Sequence, residues 1–256
     1  MASSTNVKAL LTEFFGTFFI IFISCWSYSS LNSEDTSWFG VGLANGLALA
    51  ACAWAGISSS GAHFNPVITF IKLGTKNISI GIAAFYLLVQ LFASVIASMC
   101  VIAITPSEMQ PDDSQMLFYP KPDPSSTQFQ IFIVEFIGSC LLVFTYFALI
   151  IDKRAPTNIF GFGLGAIILA SSLAFGPFSG ACINPLRVFG PELVLGTFAY
   201  SETFGFANFA GGIFAGFYYE FFLLKNDEFS FIEEEEDASL NMKTAENVNQ
   251  ALSLKY

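Results

Sequence analysis

Two Asn-Pro pairs stand 119 residues apart in near-identical settings: Ser60-Gly61-Ala62-His63-Phe64-Asn65-Pro66 answers Ser179-Gly180-Ala181-Cys182-Ile183-Asn184-Pro185, with five of seven positions the same. An asparagine ahead of a helix accepts from the first free backbone N–H groups and so caps it, and its amide still has donors to offer. Proline suits the first helical turn that follows. Two such termini meeting at one point would present roughly half a positive charge each, unsatisfied N–H groups and two amide donors. A polar oxygen is held there as an acceptor, a cation or hydrated proton is opposed, and a neutral molecule meets no such barrier. Capping and donating are compatible, and the duplication favours both for Asn65 and Asn184.

Other polar residues share these settings. Arg187, two residues beyond Pro185, is the only basic residue of the second loop; a buried guanidinium without partners is expensive, so contact with solute and backbone carbonyls is expected rather than a snorkelling interfacial role. Glu13 and Glu135 fall inside apolar runs, where a carboxylate is a functional hypothesis by default. Proton relay is one reading; their matched placement favours support, each accepting hydrogen bonds from a re-entrant loop. His63, the sole histidine, lies two residues before Asn65 and has the intrinsic pKa of a pH gate, but a structural role beside the loop is the preferred reading.

The elements that position these groups are written in the composition. The chain is 54% hydrophobic and only 12% charged, which no soluble domain of this size resembles. Six apolar runs, Leu10–Trp26, Phe39–Gly56, Ile78–Ile104, Ile131–Ile151, Ile159–Phe175 and Phe204–Leu224, approach or exceed the roughly 20 residues of a helical bilayer span. In hydrocarbon every backbone polar group must be satisfied within the chain, so these are helices. The stretches Val67–Leu73 and Leu186–Leu195 are too short to cross and are expected as re-entrant half-helices. The first run is read as a retained helix, not a cleaved signal.

The 119-residue offset also maps Gly42-x-x-x-Gly46 onto Gly161-x-x-x-Gly165, and nearly the same offset brings Gln90 to Asn208 and Glu13 to Glu135. The chain is therefore two halves, about 8–104 and 130–224, of three spans each. With an odd number of spans per half the second is inverted in the membrane, and the Asn-Pro loops face each other. The expected fold is an all-α membrane protein of six transmembrane helices and two re-entrant half-helices, with a channel domain over 1–224 and an acidic, disordered tail over 225–256. The small-residue pairs, Gly212-x-x-x-Gly216 included, are expected to pack helices inside one protomer.

Net charge is −10, with Glu233-Glu234-Glu235-Glu236-Asp237 opening the tail. Lys8, Lys72, Lys76, Lys153, Arg154 and Lys225 fall on one side of a six-span arrangement and Lys121 on the other, which predicts cytoplasmic termini. The five cysteines, Cys25, Cys52, Cys100, Cys140 and Cys182, read as buried small hydrophobes without disulfide or metal spacing. The 31 Phe and 8 Tyr read as lipid-facing or packing residues. Asn77-Ile78-Ser79 fits the glycosylation pattern on the cytoplasmic side, where it goes unused. No retention or lipidation signal ends the chain, and no cofactor or nucleic-acid partner is expected.

The two boxes, the trailing Arg187, Glu13, Glu135, Gln90, Phe189-Gly190-Pro191 and Tyr219-Glu220-Phe221 together resemble the aquaporin, or major intrinsic protein, family over nearly everything but the tail. The boxes depart from its Asn-Pro-Ala pattern: they read Asn-Pro-Val and Asn-Pro-Leu, so Val67 and Leu186 are expected to narrow the midplane. The resemblance implies a passive channel for water or small uncharged solutes, a homotetramer in a lipid bilayer, and a plasma or intracellular vacuolar membrane. It places the selectivity constriction on Asn45, Ser172, Ala181 and Arg187. Strict water channels of the family carry an aromatic residue and a histidine where this chain has Asn45 and Ser172, so a wider, polar throat is expected, open to water, glycerol, urea, ammonia, peroxide or metalloid hydroxides. Two rival functions stand beside the channel: a non-conducting structural subunit with the same fold, supported by Val67 and Leu186, and a coupled transporter, which would need Glu13 and Glu135 to titrate.

Overall fold

The computed structural model describes residues 4–32, 37–106, 118–155 and 159–224. The acidic tail and Lys225 lie outside the described residues. Among those described, the regular structure is helical throughout: α1 (Ser4–Ser29), α2 (Trp38–Ser60), α3 (Pro66–Gly74), α4 (Ile80–Ile104), α5 (Gln128–Tyr146), α6 (Phe160–Ser179), α7 (Leu186–Leu195) and α8 (Ser201–Tyr218). The chain forms two compact units, Met1–Phe217 and Tyr218–Tyr256. In the second, the described part is Tyr218 and the π turn Tyr219–Leu224, with the Tyr218 and Phe222 rings stacked at 5.5 Å. All that follows concerns the first unit.

Local chemistry sets the helix ends. Ser79 caps α4 by accepting from Ile82 N, and Thr127 with Gln130 forms a reciprocal capping box that starts α5 three residues ahead of its apolar run. The last turn of α5 widens into a π turn, Phe147–Ile151. α2 and α6 stop at Gly61 and Gly180, whose left-handed conformations (φ 86° and 84°) favour glycine. α6 runs on past Phe175 to Ser179 with Pro177 in its final turn.

Among the described residues five helices are long and apolar enough to cross a membrane: Asn6–Ser29, Trp38–Ser60, Ile80–Ile104, Gln128–Ile151 and Phe160–Ser179. The remaining long helix, α8, matches a short span in length, but Glu202, Asn208 and four glycines dilute its apolarity. Its glycines are spent on contact: a Cβ on Gly211 would lie 2.2 Å from Phe136 O, one on Gly212 2.1 Å from Val67 Cγ1, and one on Gly216 2.1 Å from Ile71 Cγ1. Phe15, Phe19, Phe92, Phe206 and Phe214 are each more than half exposed, an outer surface that lipid, not water, solvates.

The small-residue pairs close the protomer on itself. α2 and α6 cross where a Cβ on Gly46 would stand 2.5 Å from Gly165 O and one on Gly165 2.4 Å from Gly46 O, a reciprocal backbone contact that no larger residue permits. This crossing joins the repeats and fixes the two ends from which the re-entrant loops depart.

Candidate channel site

Each loop starts at its glycine cap and then takes an unusual backbone path. Ala62 and Phe64 have φ of 51° and 47°, and Ala181 and Ile183, their repeat equivalents, 49° and 56°. Left-handed conformations at residues with a Cβ cost roughly 1–3 kcal/mol each and persist only where the surroundings impose them. Here the surroundings are a buried carboxylate and a glycine. Glu13 Oε1 accepts from Ser60 Oγ (2.6 Å) and His63 N (2.9 Å), and Oε2 from Phe64 N and Gln90 Nε2 (both 2.8 Å). Glu135 repeats the pattern: Ser179 Oγ at 2.6 Å, Cys182 N and Ile183 N at 2.8 Å, and Asn208 Nδ2 at 3.0 Å. Four donors per carboxylate offset the cost of burying it. The Phe64 ring lodges against Gly16 and Gly56, and Ile183 against Gly138.

With the loops fixed, the two asparagines meet. Asn65 Oδ1 accepts from Val67 N at 2.9 Å and caps α3; Asn184 Oδ1 accepts from Leu186 N at 3.1 Å and caps α7. Each amide also crosses to the other loop: Asn65 Nδ2 donates to Ile183 O (3.2 Å) and Asn184 Nδ2 to Phe64 O (2.9 Å). One N–H of each amide is left over, and both residues line a single cavity. Its walls are mostly apolar, with Ile20, Leu49, Ile68, Leu142, Leu164 and Ile168, and its polar line is Asn45, His63, Asn65, Asn184 and Arg187.

Arg187 is 3% exposed and heavily engaged. Nε donates to Ser24 Oγ (2.9 Å), Nη1 to Ala181 O (2.6 Å) and Cys182 O (2.9 Å), and Nη2 to Tyr28 OH (3.1 Å). The equivalent position in the first half is Ile68, so the carbonyls of Ala62 and His63 meet no guanidinium, and both residues line the cavity. Asn45 uses both amide hydrogens, toward Ser27 Oγ (2.9 Å) and Val41 O (2.8 Å), which leaves Oδ1 buried without a partner among the described residues. His63 Nδ1 stands 3.0 Å from Thr69 Oγ1 and its ring packs edge-on to Tyr86 and Tyr146, while Nε2 has no hydrogen-bond partner among the described residues.

Of the four expected constriction positions, the structure brings Asn45 and Arg187 to the cavity. Ser172 instead sits at the helix crossing, its Cβ 2.9 Å from where a Cβ on Gly42 would be, and Ala181 contributes its carbonyl to Arg187. The Val67 side chain packs onto Gly212 of α8, and Leu186 packs with Ile21, Cys25, Ala97, Val101 and Phe118. Gly212→Ala should therefore destabilise the protein by about 1–3 kcal/mol through overpacking, and Val67→Ala in the same chain should restore most of it. Thermal unfolding of the three variants in detergent checks this, and Val67→Ala alone should leave flux unchanged.

Two further signals for these contacts lie in the sequence. Glu13-x-x-Gly16 recurs as Glu135-x-x-Gly138, carboxylate plus packing site in one turn. Glu13, Thr17, Ser24 and Tyr28 form a buried polar stripe at helical spacing along an apolar span; the stripe marks the face of α1 turned to both loops.

Re-entrant loops, half-helix N-termini meeting at two asparagines, and a cavity beside them in an apolar-surfaced helical bundle make up the site. The profile of the major intrinsic protein family matches residues 1–219, and the chain belongs to that family. Aquaporin NIP3-1 of Arabidopsis thaliana is 30% identical over 200 residues, 77% of this chain and 62% of that protein, so this chain spans less than two thirds of that relative. Probable aquaporin TIP-type alpha of Phaseolus vulgaris is 31% identical over 198 residues, 74% of this chain and 75% of that one. The solved structure of the aquaglyceroporin from Plasmodium falciparum shares the fold, with a TM-score of 0.72 at 20% identity over 85% of this chain and 97% of its own.

Proposed function

We propose that this chain is a passive channel for water and small uncharged polar solutes that excludes ions and protons. The observation that carries the solute class is the pairing of Asn45 Oδ1, a buried acceptor without a partner among the described residues, with Arg187, which has one N–H to spare, on the cavity that also holds the two asparagine amides. A hydroxyl donates to the first and accepts from the second, replacing part of its hydration. A cation finds an acceptor there only beside a fixed guanidinium and two positive helix ends. Relatives named aquaporins and a structural neighbour named an aquaglyceroporin support the same reading. The packing of Val67 on Gly212 and of Leu186 in an apolar cluster supports conduction over a non-conducting subunit.

Lys8, Lys72, Lys76, Lys153 and Arg154 opposite Lys121 support cytoplasmic termini; a homotetramer in a plasma or vacuolar membrane follows from the family. Swelling of proteoliposomes in osmotic gradients of glycerol and urea tests the function. Passive rates indicate the channel, dependence on an ion gradient a transporter, and no permeability a structural role. Asn45→Phe removes the acceptor and fills the throat, so glycerol permeability should fall about tenfold or more, an effect of ~1.4 kcal/mol at the barrier, with water spared. Ser172 is left untouched in this test because a larger side chain there would meet the α2 backbone at Gly42.

A further inference from the structure

α1 carries two residues that reach across 163 and 159 positions of sequence to the guanidinium of Arg187: Ser24 Oγ accepts from Nε, and Tyr28 OH from Nη2. The Tyr28 ring also lies under the guanidinium, 5.4 Å from its carbon, and its hydroxyl donates to Gly180 O, the cap carbonyl from which the second loop departs. Tyr28 is in turn held by Trp38, whose ring meets it edge-on at 6.0 Å and occupies the space above Gly176, where a Cβ would clash at 2.2 Å. We infer that Tyr28 and Ser24 are positioning residues of the selectivity filter, setting the place of Arg187 and the number of donors it shows to a solute. The inference rests on the channel reading above.

The donor count makes the argument. A guanidinium has five N–H groups and no acceptor. Ser24 takes one, Ala181 and Cys182 two, and Tyr28 a fourth, so a single N–H on Nη2 remains for solute. Loop carbonyls alone would hold only Nη1 and leave the far side of the planar group free to swing. Because Tyr28 OH donates to Gly180 O, it meets Arg187 as an acceptor, and the same hydroxyl ties the filter cation to the loop that carries it.

The loop of repeat one is held in the same way. Tyr146 OH donates to Gly61 O at 2.6 Å, and Lys72 of α3 lies over the Tyr146 ring at 5.8 Å. Each half thus supplies a tyrosine that holds the glycine-cap carbonyl of the other half's re-entrant loop and has a cation of that loop's half-helix above its ring.

The test compares Tyr28→Phe, Tyr28→Leu and Ser24→Ala with wild type in proteoliposomes, reading glycerol and water permeability per inserted channel. Tyr28→Phe keeps the ring and frees an N–H, and the glycerol-to-water ratio should rise about threefold; Tyr28→Leu also loses the ring, and the ratio should rise about tenfold. Ser24→Ala should match Tyr28→Phe in direction. A ratio that stays at the wild-type value in all three, with both fluxes unchanged or lowered together, overturns the inference, as does failure of both Tyr28→Phe and Ser24→Ala to insert, which would make them structural anchors. A wild-type protein that conducts neither solute overturns the channel reading itself.

Discussion

Leucine in place of either Asn65 or Asn184 is expected to abolish conduction while the protein still inserts. Each asparagine does three things at once: it caps its half-helix, donates to a carbonyl of the opposite loop, and keeps one N–H beside the cavity. Losing the cap costs about 1 kcal/mol; Asn184→Leu also leaves Phe64 O unpaired at about 1–3 kcal/mol more, whereas Ile183 O keeps Ser139 Oγ, and the remaining packing can absorb either loss. Flux is hit harder, because the neighbouring walls are Ile20, Ile68 and Ile168. A water or hydroxyl passing that point without its donor stands to lose several kcal/mol of hydrogen bonding, and ~4 kcal/mol is roughly a thousandfold in rate. Asn184→Asp separates the roles: aspartate caps as well as asparagine but cannot donate to Phe64 O and puts a negative charge where two positive helix ends converge. It should also fail to conduct water, with cation leak raised. Normal water flux through Asn184→Asp would reduce these residues to caps.

What could be read from sequence follows from what is local or repeated. The half-helices needed only Asn-Pro and short apolar stretches, and the inverted halves needed only the 119-residue offset; both are patterns along the chain. The direction in which Val67 points depends on the rotation of α3 about its own axis, and the room it fills is made by Gly212, 145 residues away, which no spacing rule links to it. Tyr28 was counted among packing aromatics because its role lies in a contact with Arg187 across the fold. The last span was read from its apolarity as Phe204–Leu224, whereas α8 starts at Ser201 and gives up apolarity for glycines that admit Phe136, Val67 and Ile71.

Glu13→Gln and Glu135→Gln should be the most damaging single substitutions to the fold of the site, and they also separate the channel from a coupled transporter. Glutamine has one acceptor oxygen where glutamate has two. Whichever way its amide turns at position 13, an NH2 faces either Phe64 N and Gln90 Nε2 or Ser60 Oγ and His63 N. At position 135 the same choice sets it against Ile183 N and Asn208 Nδ2 or Ser179 Oγ and Cys182 N. In either orientation one loop N–H loses its acceptor, at about 1–3 kcal/mol, and the positive φ of Ala62 and Phe64, or Ala181 and Ile183, is no longer fully imposed from outside. Relaxation of that strain moves an asparagine off the cavity. The apolar spans still insert, since their backbone bonds are internal, so helical content should persist while the unfolding midpoint in detergent falls sharply and flux is lost. Gln90→Leu, which removes one donor of four from Glu13, should cost less on both measures. A coupled transporter gives the opposite pattern: Glu→Gln would remove a titrating proton from a site that stays folded, and transport would continue without dependence on the pH gradient. A stable, pH-independent, conducting Glu13→Gln protein would replace the anchoring role with a coupling one.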